Sequence, residues 1–151
     1  MLYLVRHAKA GSRRDWEGDD RNRPLDAAGI QQAHALARRL ASLATGRLVS
    51  SPYRRCVQTL EPLAAAAALT VETDDRLEEG GQFAGVIDLL DELPDGSVLC
   101  SHGDVIPDAM RALERRGCAT TGPADWRKAT TWVLTRRDGG IVGAECWPPP
   151  D

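Results

Sequence analysis

Three apolar runs in this chain each stop on a turn-prone stretch with basic side chains. Leu2-Tyr3-Leu4-Val5 runs into Arg6-His7-Ala8, a short run to Ser50 meets Ser51-Pro52-Tyr53-Arg54-Arg55, and Val98-Leu99-Cys100 meets Ser101-His102-Gly103. A short run that is apolar at every position reads as a strand buried on both faces, as strands are in a parallel sheet covered by helices. Strands alternating with helical segments then predict a three-layer α/β/α sandwich with a mostly parallel central sheet. In such sheets ligands sit outside the carboxyl ends of the strands. Two of the three histidines and at least two arginines fall there.

Along the chain, residues 2–7 form the first strand and residues 8–25 a long polar loop of the kind that often carries function. Asp26 reads as the N-cap of a helix to about Ala44, with Ile30, Ala33, Leu36, Ala37, Leu40 and Leu43 on its buried stripe. Residues 47–50 are a strand. Ser51 is expected to cap the next helix with Pro52 at its first position, and that helix runs past Pro62 through the alanines at 64–68. A strand at 69–73, an acidic loop at 74–81 and a helix over 82–93 with Phe83, Val86, Leu89, Leu90 and Leu93 inward come next. A strand over 97–100, a helix over 105–116 and a loop over 117–128 follow. Residues 130–135 and 141–146 form a hairpin around Asp138-Gly139-Gly140, expected to supply an antiparallel edge to the sheet. Residues 1–147 are read as a single domain and 148–151 as a short Pro-rich tail lying free.

Net charge is −3, so bulk attraction to a nucleic acid polymer or an anionic membrane is not expected. No run approaches the roughly 18 apolar residues of a membrane span. Met1 leads straight into a strand, which leaves no room for a signal peptide. The four cysteines form no CxxC and read as buried, reduced thiols of a cytoplasmic protein. None is followed by the arginine that a cysteine-dependent phosphatase needs. The histidines lack ligand spacing such as His-Glu-x-x-His, so neither metal nor cofactor is called for. No pattern of an oligomeric interface stands out.

What converges at the strand ends is a set of imidazoles, planar bidentate guanidinium donors and the N-terminus of the helix that carries Arg54 and Arg55. Each favours an anion, and together they describe a phosphate site. His34, within the first helix, is read as structural or exposed. Trp16 and Trp126 lie in loops where they would flank a base or peptide, and Trp132 reads as core.

These residues also carry a resemblance. Leu4-Val5-Arg6-His7-Ala8, Ser51-Pro52-Tyr53-Arg54-Arg55-Cys56-Val57-Gln58-Thr59 and Ser101-His102-Gly103 resemble, in order, the three motifs of the histidine phosphatase (phosphoglycerate mutase-like) superfamily. Arg-His-Ala-Lys-Ala, Asp20, Arg23-Pro24-Leu25 and Gly29 are most similar to the SixA-type phosphohistidine phosphatases. Ala10-Gly11-Ser12, Gly18-Asp19-Asp20, Thr59 to Ala64 and Thr131 to Leu134 are similar to the phosphatase half of actinobacterial proteins that fuse it to a Nudix hydrolase, a half not expected here.

The resemblance implies a phosphoglycerate mutase-like fold and a metal-independent phosphatase. His7 would be the nucleophile. Arg6, Arg55 and His102 would hold the phosphoryl oxygens, with Arg55 rather than Arg54 at the motif position. Glu79 in Leu77-Glu78-Glu79 would be the proton donor, with Glu78 as the fallback. Ser12, Lys9 and Arg21 would add substrate contacts, while Arg23 is read as a rim or loop charge. Lys9 stands where mutases often have Glu, which argues against a mutase. The short connection between Arg55 and His102 leaves the pocket open, which suits a phosphohistidine protein as substrate. The alternatives are a nucleotide or other small phosphoester and a non-enzymatic phosphate-binding module.

Overall fold

The computed structural model describes residues 1–151, with seven strands in one sheet and four helices against it. In chain order these are β1 (Leu2–Arg6), α1 (Ala27–Leu40), β2 (Leu48–Ser50), α2 (Arg54–Ala67), β3 (Val71–Thr73), α3 (Phe83–Glu92), β4 (Val98–Ser101), α4 (Val105–Arg115), β5 (Ala119–Thr121), β6 (Thr131–Arg137) and β7 (Gly140–Trp147). The sheet order is β3-β2-β4-β1-β6-β7-β5. The pairings make β6 the one strand that runs against the others.

Burial on both faces explains the uninterrupted apolar runs. In β1, Leu2 and Leu4 join the core under α3 and α4, with Val86, Leu90, Ile106 and Met110. The intervening Tyr3 and Val5 join the opposite core under α1 and α2, with Leu36, Leu40, Cys56 and Leu60. Burying each such leucine or valine contributes about 1.5–3 kcal/mol, so the strand is held from both sides and its far end is well fixed. No helix is long and apolar enough to cross a membrane.

The α/β/α architecture matches the expectation, with some local corrections. The antiparallel strand is not at an edge: β6 pairs with β1 inside the sheet, and β5, inside the segment expected to be loop, adds a parallel edge beyond β7. Three residues of Ala-Thr-Thr carry no periodic signal, and only pairing with β7 makes them a strand. Ser51 does not cap α2, which starts two residues later after Tyr53. The Ser51 amide still continues the β2 pairing, donating to Cys100 O, and its hydroxyl is committed to His102. Asp26 does cap α1, accepting from the Gly29 amide. Gly29, not Ile30, is the inward residue of the first turn. A Cβ there would stand 1.8 Å from Lys9 O, and Ile30 is left exposed, as is Phe83 at the start of α3. The tail does not lie free: Arg39 Nη1 donates to Pro148 O at 2.7 Å, and Pro150 and Asp151 lie beside Gln31 and His34 of α1.

Candidate active site

Strand register assembles the site. β1 lies between β4 and β6, and Arg6 is paired with Ser101 while Ser50 is paired with Cys100. The next residues on β1 and β4 therefore leave the sheet at the same level, with the residue after β2 one step behind them. These residues are His7, whose amide donates to Ser101 O at 3.0 Å, and His102, with Ser51 behind. Their neighbourhood opens on a cavity of about 340 Å³ lined almost wholly by polar groups, among them Arg6, His7, Ser12, Glu79 and His102.

His7 is buried, and its Nδ1 lies 2.8 Å from the Ala8 carbonyl oxygen. A carbonyl only accepts, so Nδ1 carries the proton and Nε2 keeps its lone pair. Burial pushes the imidazole pKa down to about 3, with the neighbouring His102, Arg55 and Arg6 adding to the drop and the Ala8 bond opposing it. The ring is neutral, with a free nucleophilic nitrogen, at any ordinary pH. The chain around it is anchored from α2, where Thr59 Oγ1 accepts from the Ala8 amide at 2.9 Å.

His102 packs edge-on to His7, ring centroids 5.4 Å apart, and to Tyr53 at 4.8 Å. Its Nε2 is 2.8 Å from Ser51 Oγ. That hydroxyl already accepts the Tyr53 amide at 3.3 Å, so its own proton is free to go to Nε2. With Nε2 taken as the acceptor of that bond, beside Cys56 Sγ at 3.5 Å, the ring proton of His102 falls on Nδ1, a buried position without a partner in the protein. Arg6 Nε and Arg55 Nε are likewise buried and unpartnered. Since buried donors are almost always satisfied, three orphans on three neighbouring basic side chains mark a place built to receive an oxyanion.

Arg55 is completely buried. Its Nη1 donates to Asp20 O at 2.9 Å, its Nη2 to Asp20 Oδ2 at 3.1 Å, and Glu79 Oε2 lies at 3.5 Å. Burial pushes the Asp20 carboxyl up, but the hydrogen bond from Arg23 and the charges of Arg55, Arg23 and Arg13 outweigh it and hold the carboxyl below its usual range. Arg6 lies against Gly103, where a Cβ would come within 2.5 Å of the guanidinium carbon, and its Nη1 donates to Trp126 O.

The structure brings His7, Arg6, His102, Ser12 and Glu79 around one cavity, with Arg55 buried beside it. Glu79 lines it and pairs with Arg13 at 2.7 Å, whereas Glu78 pairs with Arg21 at 3.2 Å. Arg54 is exposed. Two expected substrate contacts stand outside the lining. The Lys9 side chain is exposed while its amide and carbonyl bind Gln32 and Asp26 to hold α1 in place. Arg21 is drawn to Glu78 and lies 5.0 Å over the Tyr53 ring. Arg23, read as a rim charge, is buried, its Nε donating to Asp20 Oδ1 at 2.8 Å. Arg13, Asp104 and Lys128 also line the cavity and were not expected there. Asp20 was legible only as part of the SixA-like pattern, and Lys128 had no sequence signal at all. His34 is exposed on α1, and Trp132 is core, with the exposed Trp126 ring 5.1 Å from it. No three His, Cys, Asp or Glu side chains converge as a metal-ligand set.

The sequence model of the histidine phosphatase superfamily (branch 1) matches residues 2–88. The chain belongs to that superfamily. The 8-oxo-(d)GTP phosphatase of Mycolicibacterium smegmatis is 35% identical over 157 residues, covering 99% of this chain and 48% of that protein. The chain thus spans about half the length of this relative. Among solved structures, SixA from Nakamurella multipartitia superposes with a TM-score of 0.67 at 28% identity, covering 97% of this chain and 92% of the other. The protein histidine phosphatase SixA complexed with tungstate has a TM-score of 0.73 at 21% identity, covering 93% and 91%.

Proposed function

We propose that this histidine phosphatase domain is a phosphatase that works through a phosphohistidine at His7. The observation that carries this reading is the neutral His7 ring, its Nδ1 proton held by Ala8 O and its Nε2 free, beside the unpartnered donors of Arg6, Arg55 and His102. The Nε2 lone pair attacks phosphorus, the bond from phosphorus to the leaving group breaks, and the departing atom takes a proton for which Glu79, once protonated and released from its pairing with Arg13, is the acid in the cavity. Arg6, Arg55 and the His102 Nδ1–H hold the three equatorial oxygens as charge spreads over them. Water then attacks the phosphohistidine, giving its proton to the Glu79 carboxylate, and the P–Nε2 bond breaks, releasing phosphate and returning His7 to its neutral state. Asp20 fixes the Arg55 guanidinium, and Ser51 fixes the His102 tautomer. Neither touches the reacting atoms.

Two readings of the phosphoryl carrier have support. The likeness to SixA structures and the open, polar mouth favour a phosphohistidine side chain of a protein. The Mycolicibacterium relative favours a nucleotide or other small phosphorylated molecule, although its activity is that of a protein about twice as long. The four free thiols fit a reducing, cytoplasmic setting.

The test is His7→Ala with an aryl phosphate as substrate. We expect hydrolysis to fall below about a thousandth of wild type with the thermal midpoint retained, and wild-type activity to be indifferent to EDTA. Undiminished turnover by the variant would sink the mechanism, and a metal requirement would count against it.

A further inference from the structure

We propose that Lys128 is a specificity residue that grips a second phosphate next to the transferred phosphoryl group, so that the preferred substrates are small diphosphates rather than isolated monophosphates. This rests on the phosphatase reading above and chooses between its two carriers.

Most cations of the cavity already have a partner. Arg13 is matched by Glu79 at 2.7 Å and Arg23 by Asp20 at 2.8 Å. Arg6 has the Trp126 carbonyl, and the charge of Asp104 offsets part of its burial. Lys128 lines the same cavity, is half-buried, and makes no hydrogen bond or ion pair. Burial, then the charges of Arg6, Arg23 and Lys9, pull its ammonium pKa down, with Asp26 a weak counterweight. A cation in that position is relieved by an anion. The three equatorial oxygens of the transferred group are already matched by Arg6, Arg55 and His102, so a further cation in the wall meets a charge beyond that group.

The backbone holds Lys128 there deliberately. Ala129 follows it in the left-handed region at φ 66° although it is not glycine, and it is fully buried. Its amide donates to both Arg6 O at 3.1 Å and His7 O at 3.3 Å, while the Arg6 amide donates to Thr130 O at 3.1 Å. Thr130 closes the turn from the other side, its Oγ1 donating to Arg127 O at 2.8 Å. A strained turn fastened to the backbone of the nucleophile and its neighbour fixes the main chain at Lys128 relative to the reacting phosphorus, and strain of this kind persists where position matters. The flexible stem then lets the ammonium, a compact point charge, meet a phosphate oxygen.

The experiment compares AMP with ADP, which share a carrier and differ by one phosphate, and adds a phosphohistidine-bearing protein. We expect wild type to favour ADP. Lys128→Gln should lower kcat/KM on ADP by about tenfold to a hundredfold, the range of a lost charge-assisted contact, with less than about a threefold change on AMP. Lys128→Arg should recover most of the loss. Equal losses on both nucleotides would assign Lys128 to the transferred phosphoryl and overturn the proposal, as would no loss on either. A Lys128-dependent preference for the phosphohistidine protein over ADP would overturn it in favour of an acidic protein segment. Calorimetry with inorganic pyrophosphate and orthophosphate separates this from the mechanism. Tighter pyrophosphate binding that vanishes in Lys128→Gln supports the second-phosphate site even if His7→Ala still turns over, and equal binding of the two anions rejects it even if His7 proves essential.

Discussion

The two halves of the sheet are built to different rules. In β3-β2-β4-β1 the strands run parallel, and the three inner ones, β2, β4 and β1, are buried on both faces and carry His7, Ser51 and His102 one step beyond their ends. In β6-β7-β5 only β6 is deeply buried. β7 is largely exposed or half-exposed, β5 is a three-residue edge, and no titratable group of the proposed reaction lies on any of them. Yet the turn leading into β6 presses Ala129 against the backbone of Arg6 and His7 and brings Lys128 to the cavity. The difference separates chemistry from recognition: groups that must hold an unfavourable charge state or position sit on strands clamped from both sides, while the second half adjusts what surrounds them.

That division is exposed to test, and the largest effect concerns acid. The folded pKa of His7, about 3, lies far below the usual 6.5, so between those values the unfolded chain binds a proton that the folded chain refuses. The stability this provides is fully present above about pH 6.5 and is lost as pH falls toward 3, at up to roughly 1.4 kcal/mol per unit. Urea midpoints at pH 7, 5 and 4 should fall more steeply for wild type than for His7→Asn, and parallel slopes would mean that His7 is not held neutral by burial. A smaller effect is expected from Gly103→Ala. The new Cβ would lie 2.5 Å from Arg6 Cζ and 2.8 Å from its Nε, so the guanidinium must move. Displacement by a fraction of an ångström should cost about tenfold or more in kcat/KM while the fold absorbs the shift. Unchanged kinetics would show that Arg6 does not need that position. The smallest effect is the matched change in the other half. A Cβ on Gly143 in β7 meets nothing nearer than 3.7 Å, so Gly143→Ala should leave kinetics alone and shift stability by no more than about 1 kcal/mol. If it impaired catalysis as Gly103→Ala does, the contrast between the halves would fail.

The strongly patterned elements were readable from their residues. β1, β2 and β4 are apolar runs stopped by turn residues, α1 has Asp26 before its stripe, and the β6–β7 hairpin has Asp138-Gly139 at its turn, both at positive φ. What escaped were features that depend on a partner distant in sequence. Ser51 has the local chemistry of a helix cap, but a stronger claim on its hydroxyl comes from His102, which no local rule contains. β5 exists only because β7 runs beside it. Lys9 and Arg21 neighbour the motifs along the chain, but they do not line the cavity, whereas Lys128, outside every motif, does.

The sequence by itself determined which side chains leave which strand ends, because the period of a strand and the chemistry of turns are local, and so His7, Arg55 and His102 were identifiable as a group. Only the tertiary structure decided their states and company. The proton of His7 is set by the Ala8 carbonyl and by burial, the partner of His102 Nε2 by Ser51, the posture of Arg55 by Asp20, and the place of Lys128 in the cavity wall by a turn fastened to β1. Charge state and pairing depend on what is near in space and on how much water is excluded, and neither is written in the spacing of residues along a chain.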